Sequence, residues 1–180
     1  MKIRAAGEAD LTGIAAIYGH EARTGFATFD TEPRPINQWR EHLDSTENGD
    51  HLLVATDDET ILGYAHSSAY RPKPCYAATR ETSIYLTAQA QGQGLGRRMY
   101  DDLLGWLVAD GIRTVVAAVA LPNPASLALH RACGFEEVGA MREVGRKFDR
   151  WIDVLWLQCG LSRRHERASG DDVSGAVSTR

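Results

Sequence analysis

Apolar and polar positions change their period several times along the chain, and each change marks an element. Ile3 to Ala6 reads as a short strand. From about Asp10, the residues Leu11, Ile14, Ile17 and Tyr18 recur at helical spacing on one face. Thr24 to Pro35 has no period and is rich in Thr and Pro, so it reads as irregular. Ile36, Trp39 and Leu43 mark a second, short helix. The apolar runs His51–Ala55 and Ile61–Tyr70 flank Asp57-Asp58-Glu59, the pattern of a hairpin. Thr82 to Thr87 is a further strand. Leu95, Met99, Leu103, Trp106 and Leu107 form one helix stripe, with Gly111 as its stop. Thr114 to Leu121 is almost wholly apolar and β-branched, as for a strand covered on both faces. Asn123-Pro124 opens a helix with Asn as cap and Pro at the first position, and Gly134 closes it. Phe135–Met141 and Ile152–Cys159 complete a strand pair. The expected fold is mixed α/β, with helices interspersed among the strands of one sheet. Residues 161–180 are polar and aperiodic, which predicts a disordered tail behind a domain spanning 1–160.

Composition narrows the function classes. A chain of 180 residues with 43% hydrophobic content suits one domain with a sizeable core. The formal net charge of -4 gives no reason to expect nucleic acid or an anionic membrane as partner. No apolar run approaches the roughly 20 residues that span a bilayer. Met1 to Glu8 lacks the apolar stretch of a secretory signal. The three cysteines, Cys75, Cys133 and Cys159, are widely spaced and form neither a disulfide framework nor a CxxC pattern. A reducing cytoplasm is the expected setting. His20, His42, His51 and His66 show no metal spacing, so no metal is expected. Trp39, Trp106, Trp151 and Trp156 read as core or subunit-contact residues rather than a platform for bases.

The strongest chemical signal is Gln91-Gly92-Gln93-Gly94-Leu95-Gly96, which follows a strand and opens a helix. Glycines at such a junction let successive N–H groups converge, and the helix N-terminus adds partial positive charge, which suits a pyrophosphate. Arg97 and Arg98 stand ready to add phosphate contacts. The third glycine comes one residue early for a dinucleotide fingerprint, and no Gly-Lys-Ser/Thr follows for a Walker loop. A plain structural turn is the competing reading. The loop resembles the acetyl-CoA pyrophosphate loop of the GNAT superfamily of N-acetyltransferases. The run Asn123 to Phe135, with its Asn-containing helix and terminal Gly-Phe, resembles that superfamily's next motif.

The resemblance narrows to the phosphinothricin N-acetyltransferase family, which includes acetyltransferases for phosphinothricin and for methionine sulfoximine or methionine sulfone. It is carried by Phe29-Asp30-Thr31-Glu32-Pro33, Arg71 to Tyr76, Glu81 to Leu86, Leu121-Pro122-Asn123 and Gly145 to Val154, and it runs from about residue 2 to 160. It implies the GNAT acyltransferase fold, with a central, mostly antiparallel sheet flanked by helices. It implies acetyl-CoA as cosubstrate and a small amine as acceptor, attacked directly in a ternary complex. A homodimer is implied as well, with Trp151 and Trp156 near the C-terminal strand.

Site roles follow from the same resemblance. Glu81 is the implied general base, because an attacking amine must first lose a proton. A surface strand carboxylate is the alternative reading. The backbone of Ile84, Tyr85 and Leu86 is implied to line the acetyl and pantetheine arm and to meet oxyanion charge. Gln91, Gly92, Gln93, Gly94, Leu95, Gly96 and Arg97 are implied to hold the pyrophosphate, with Asn123 and Ser126 beside the arm. Asn123 serves equally well as a helix cap. His130, on the helix after Asn123, is the implied proton donor to the leaving thiolate, and a structural histidine is its rival. Arg71, Lys73 and Tyr76 cluster ahead of Glu81 and suit the substrate's anionic groups, against the reading of a solvated Pro-rich turn. Phe29 and Glu32 belong to the segment implied to close over the substrate. Lys73 and Cys75 stand where the family pattern has an arginine and a small residue. Outside this branch, protein N-terminal acetylation and a non-catalytic acyl-CoA-binding module remain as alternatives.

Overall fold

A computed structural model describes residues 1–161. Seven strands form one sheet: β1 (Lys2–Ala5), β2 (His51–Asp57), β3 (Thr60–Ala69), β4 (Thr79–Leu86), β5 (Thr114–Ala120), β6 (Glu136–Lys147) and β7 (Arg150–Gly160). Their order is β1-β2-β3-β4-β5-β7-β6. Every pairing is antiparallel except β4 with β5, which run parallel. Four helices cover the sheet: α1 (Leu11–Thr24), α2 (Ile36–Leu43), α3 (Leu95–Ala109) and α4 (Pro124–Ala132).

The apolar stripes find their partners on opposite faces. Leu95, Met99, Leu103 and Leu107 of α3 pack with Val115, Ala117 and Val119 of β5 in one core. Leu11, Ile14 and Tyr18 of α1 join Trp39 of α2 against Leu52, Val54 and Tyr64 in the other. The alternation along β4 therefore separates two environments. Thr82 reaches Tyr100 on the α3 side, and Tyr85 stacks on Tyr64 on the α1 side.

Strand boundaries differ most from those expected at β4 and at the β6–β7 turn. β4 begins at Thr79 rather than Thr82, because Arg80 is buried in the sheet and pairs with Asp50 at 3.5 Å. β6 and β7 run on to a two-residue turn at Phe148 and Asp149, both with positive φ (48° and 59°). Leu161, expected in the tail, is 1% exposed and donates its N–H to the Arg113 carbonyl. The rest of that expected tail, 162–180, lies outside the described residues. No described helix is long and apolar enough to cross a membrane.

Candidate active site

The parallel pair β4 and β5 opens into a cleft. Register pairs Thr79 with Thr114, Arg80 with Val115 and Glu81 with Val116, and there the ladder stops. Beyond that point β4 stays paired to β3, and β5 to β7, so the two strands part like a V. A cleft of 630 Å3 fills the gap, walled by Thr82–Leu86 of β4 and Ala118–Ala120 of β5. Backbone groups on the inner edges of both strands face this space, as a chain of amide-bearing ligand would require.

One end of the cleft is the glycine loop. Gly92 and Gly94 both sit at φ +74°, in the left-handed region, and Gly94 is the residue preceding α3. A Cβ at either would meet no atom within 4 Å, so the cradle is open in front of them. Gly96 does something else: a Cβ there would come within 3.0 Å of Leu129, so this glycine lets α3 approach α4. The first-turn N–H groups of α3 and the Arg97 side chain border the same space. An acyl-CoA would fit these features, with Gly92, Gly94 and Arg97 to hold its pyrophosphate and Ile84, Tyr85 and Leu86 beside its arm. Gln91 lines the cleft, whereas Gln93 turns away and donates to the Gln89 carbonyl at 2.6 Å. Asn123 Oδ1 accepts the Ser126 N–H at 3.1 Å, and both residues also line the cleft, so the cap stands at its wall.

Glu81 stands at the apex, the last β4 residue paired to β5. It is half-buried, and burial raises its carboxyl above the ordinary value, with the Arg71 charge pulling the other way. Its cross-strand neighbour on β3 is Ser68. The cleft walls begin one residue later, so Glu81 borders the cleft rather than lining it. Of the expected substrate residues, Phe29, Glu32, Arg71, Lys73 and Tyr76 are all exposed and outside the cleft walls. Arg71 stacks on Tyr70 at 4.6 Å, and Tyr70 meets Tyr76 and Trp156 edge-on at 5.5 and 6.1 Å. This aromatic wall lies beside Glu81 through Arg71.

His130 lines the cleft but is buried. Desolvation lowers its pKa, partly offset by a hydrogen bond to the Ser126 carbonyl. Its Nε2 faces the Tyr100 hydroxyl at 2.8 Å. Both ring nitrogens are therefore engaged inside the protein, which leaves the implied proton donor without a proton directed at the cleft.

Sequence reasoning passed over several neighbours. Glu21, Phe26 and Ala27 line the cleft, and Glu21 Oε1 accepts the Ala27 N–H at 2.7 Å. Lys147 is 2% exposed and donates to the Thr28 carbonyl at 2.8 Å, which ties the segment after α1 to the β6–β7 hairpin. Phe26 and Phe148 meet edge-on at 5.4 Å across the same junction. Lys147 and Phe26 carry no local pattern, because their partners lie more than a hundred residues away. Among the described residues, no group of three or more His, Cys, Asp or Glu is placed to hold a metal ion.

Comparison with known proteins agrees with this geometry. The family profile of acetyltransferase (GNAT) domains matches residues 3–156. A phosphinothricin N-acetyltransferase of Streptomyces coelicolor is 44% identical over 162 residues, 88% of this chain and 95% of the relative. An L-methionine sulfoximine/L-methionine sulfone acetyltransferase of Pseudomonas aeruginosa is 37% identical over 161 residues, 88% of this chain and 94% of that one. Among solved structures, a GNAT superfamily phosphinothricin acetyltransferase from Sinorhizobium meliloti in complex with acetyl-CoA superposes with a TM-score of 0.84. It is 36% identical, over 88% of this chain and 87% of that chain. A glycine cradle at a helix N-terminus, a parted parallel strand pair and a match over nearly the whole described chain converge, and the chain belongs to the GNAT family of acetyl-CoA-dependent N-acetyltransferases.

Proposed function

We propose that the acceptor is the primary amine of a small amino-acid-like molecule of the phosphinothricin, methionine sulfoximine or methionine sulfone type. The relatives' substrates support this class. The observation that carries the mechanism is the half-buried carboxylate of Glu81 at the apex of the cleft. Acetyl-CoA supplies an activated thioester carbonyl. Glu81 takes the ammonium proton, directly or through water, and so frees the amine's lone pair. The N–H groups that Ile84 and Leu86 turn to the inner edge of β4, on either side of Tyr85, offset negative charge that develops on the carbonyl oxygen. Arg71, with Lys73 and Tyr76 near it, suits the substrate carboxylate. Phe29 and Glu32 belong to the segment over the acceptor side. We further propose a cytoplasmic homodimer.

A panel of free amino acids and peptides, followed by thiol release from acetyl-CoA, tests this reading. Turnover is expected on methionine sulfone, methionine sulfoximine or phosphinothricin, and not on peptides. In the same assay Glu81→Gln should lower turnover by about 10²–10⁴-fold. The raised carboxyl pKa sets the sign with pH: the base form fills only above that pKa, so wild-type turnover falls as the medium becomes acid. The Glu81→Gln defect should shrink as pH rises and free amine appears unaided. Turnover of peptides alone would overturn the substrate class. Near-normal turnover by Glu81→Gln at neutral pH would remove Glu81 as the base.

A further inference from the structure

Three buried polar side chains from three elements meet where β4 and β5 part. Tyr100 of α3 is 0% exposed, Thr82 of β4 is 2% and His130 of α4 is 4%. His130 Nδ1 lies 2.8 Å from the Ser126 carbonyl oxygen. A carbonyl only accepts, so Nδ1 carries the ring proton. Burial favours the neutral ring, so Nε2 is bare and the Tyr100 hydroxyl, 2.8 Å away, donates to it. The Tyr100 oxygen keeps its capacity to accept, and Thr82 Oγ1 lies 3.4 Å from it. Thr82 Oγ1 is also 3.4 Å from the Val116 carbonyl, and Val116 is the β5 member of the last β4–β5 pair. The Tyr100–His130 bond is the short one, and the Thr82 contacts are at the long limit for a hydrogen bond.

The polarity of this chain decides what His130 does. An imidazole that gives its only N–H to its own helix, and accepts at the other nitrogen, holds no proton for a leaving thiolate. Tyr100 is what keeps it so. Edge-on contacts of the His130 ring with Tyr100 at 5.1 Å and Phe135 at 5.0 Å hold the ring plane as well.

We infer that Tyr100 is a positioning residue: through His130 and Thr82 it pins α3, α4 and β4 together at the apex of the cleft. The pin fixes where the thioester carbonyl sits against the inner edge of β4 and against Glu81. The inference rests on acetyl transfer in this cleft and adds a residue that the motifs do not name. It also reassigns His130 from proton donor to part of the cleft wall.

Tyr100→Phe removes one oxygen and tests the pin. The turnover number should fall on the order of ten- to hundredfold, the cost of a small misplacement of reacting groups. Acetyl-CoA affinity, measured by calorimetry, should stay within about twofold, since the glycine cradle is untouched. The pH profile should keep its shape. His130→Phe should lose about as much as Tyr100→Phe, and the double variant no more than either, because both act as one unit. Thr82→Ser should retain turnover where Thr82→Val loses it, and this pair carries the test if Tyr100→Phe does not fold.

A readout independent of any substrate is the 15N spectrum of His130. It should show the neutral, Nδ1-protonated tautomer across neutral pH. Near-normal turnover by Tyr100→Phe would overturn the pin. So would an Nε2-protonated ring, or an alkaline limb lost in His130→Phe but kept in Tyr100→Phe, which would make the ring the proton donor. Failure of the substrate reading is distinct, since it would appear as inactivity of the unaltered protein while the histidine signal stays as expected.

Discussion

Gly92, Gly94 and Gly96 share one motif and have different causes. The first two occupy φ +74° in front of open space, and the third sits at ordinary helical angles against Leu129. Sequence alone reads the three as one phosphate cradle, because spacing carries no information about φ. The separation is testable at Gly94. Valine there would be β-branched in the left-handed region, a strain of about 1–3 kcal/mol. Its side chain would also project into the space that phosphate must enter. Gly94→Val is therefore expected to weaken acetyl-CoA binding by roughly tenfold or more, read by calorimetry on protein shown by circular dichroism to be folded. Unchanged affinity would move the pyrophosphate away from this loop. Asn123 shows the converse case: its side chain caps α4, and the residue also lines the cleft.

Elements were legible wherever a period was strong, and hidden wherever long-range pairing set the boundary. The stripes of α1 and α3, the Asn-Pro start of α4 and the apolar β5 all fall where apolar spacing places them. The β6–β7 turn was not legible, because Phe148 at φ 48° carries none of the Gly or Asn signal of such turns. The parting of β4 and β5 was equally hidden: it is a fact about two strands, and neither sequence marks it. The segment between α1 and α2 has no period, yet it walls the cleft through Phe26 and Ala27. What orders it is Lys147, whose buried ammonium donates to Thr28 and lies 3.5 Å from the Glu21 carbonyl. Burial lowers the Lys147 pKa, with Glu21 and Asp30 opposing the shift. Lys147→Met keeps the stem and removes the donors, leaving a buried carbonyl unpaired at a cost of about 1–3 kcal/mol. The substrate KM is expected to rise by roughly tenfold or more while acetyl-CoA affinity holds, and amide exchange should quicken in 25–30. An unchanged KM would leave Lys147 as a core residue with no bearing on the acceptor side.

At the scale of the whole molecule, the two edges of the sheet are unequal. β1 offers four residues, beginning beside the chain terminus, where the Met1 ammonium pairs with Asp57 at 2.9 Å. β6 offers twelve, and almost all of them are exposed. Val138, Met141 and Val144 on this edge are 61%, 48% and 46% exposed, and Trp151 of the neighbouring β7 is 62% exposed. A long edge with apolar side chains is a template for another strand or sheet unless something covers it. The breaks in register at Glu137/Gly139 and Met141/Gly145 bend the strand but leave its apolar side chains outward. A second copy of the chain, seated on this edge, is the proposed cover. A stable pair would bury about 1,600 Å2 in total, and aromatic residues are enriched in such contacts. The glycine loop and the parted inner edges of β4 and β5 are separated from this edge by β7, so pairing would leave access for acetyl-CoA. Sedimentation at micromolar concentration should show a dimer. Val138→Lys combined with Trp151→Glu places charge on the apolar edge and should shift the protein to monomer, with acetyl-CoA affinity preserved because the glycine cradle is remote from both positions. A monomer for the unaltered chain would overturn the pairing, and a dimer that survives both substitutions would move the interface off β6.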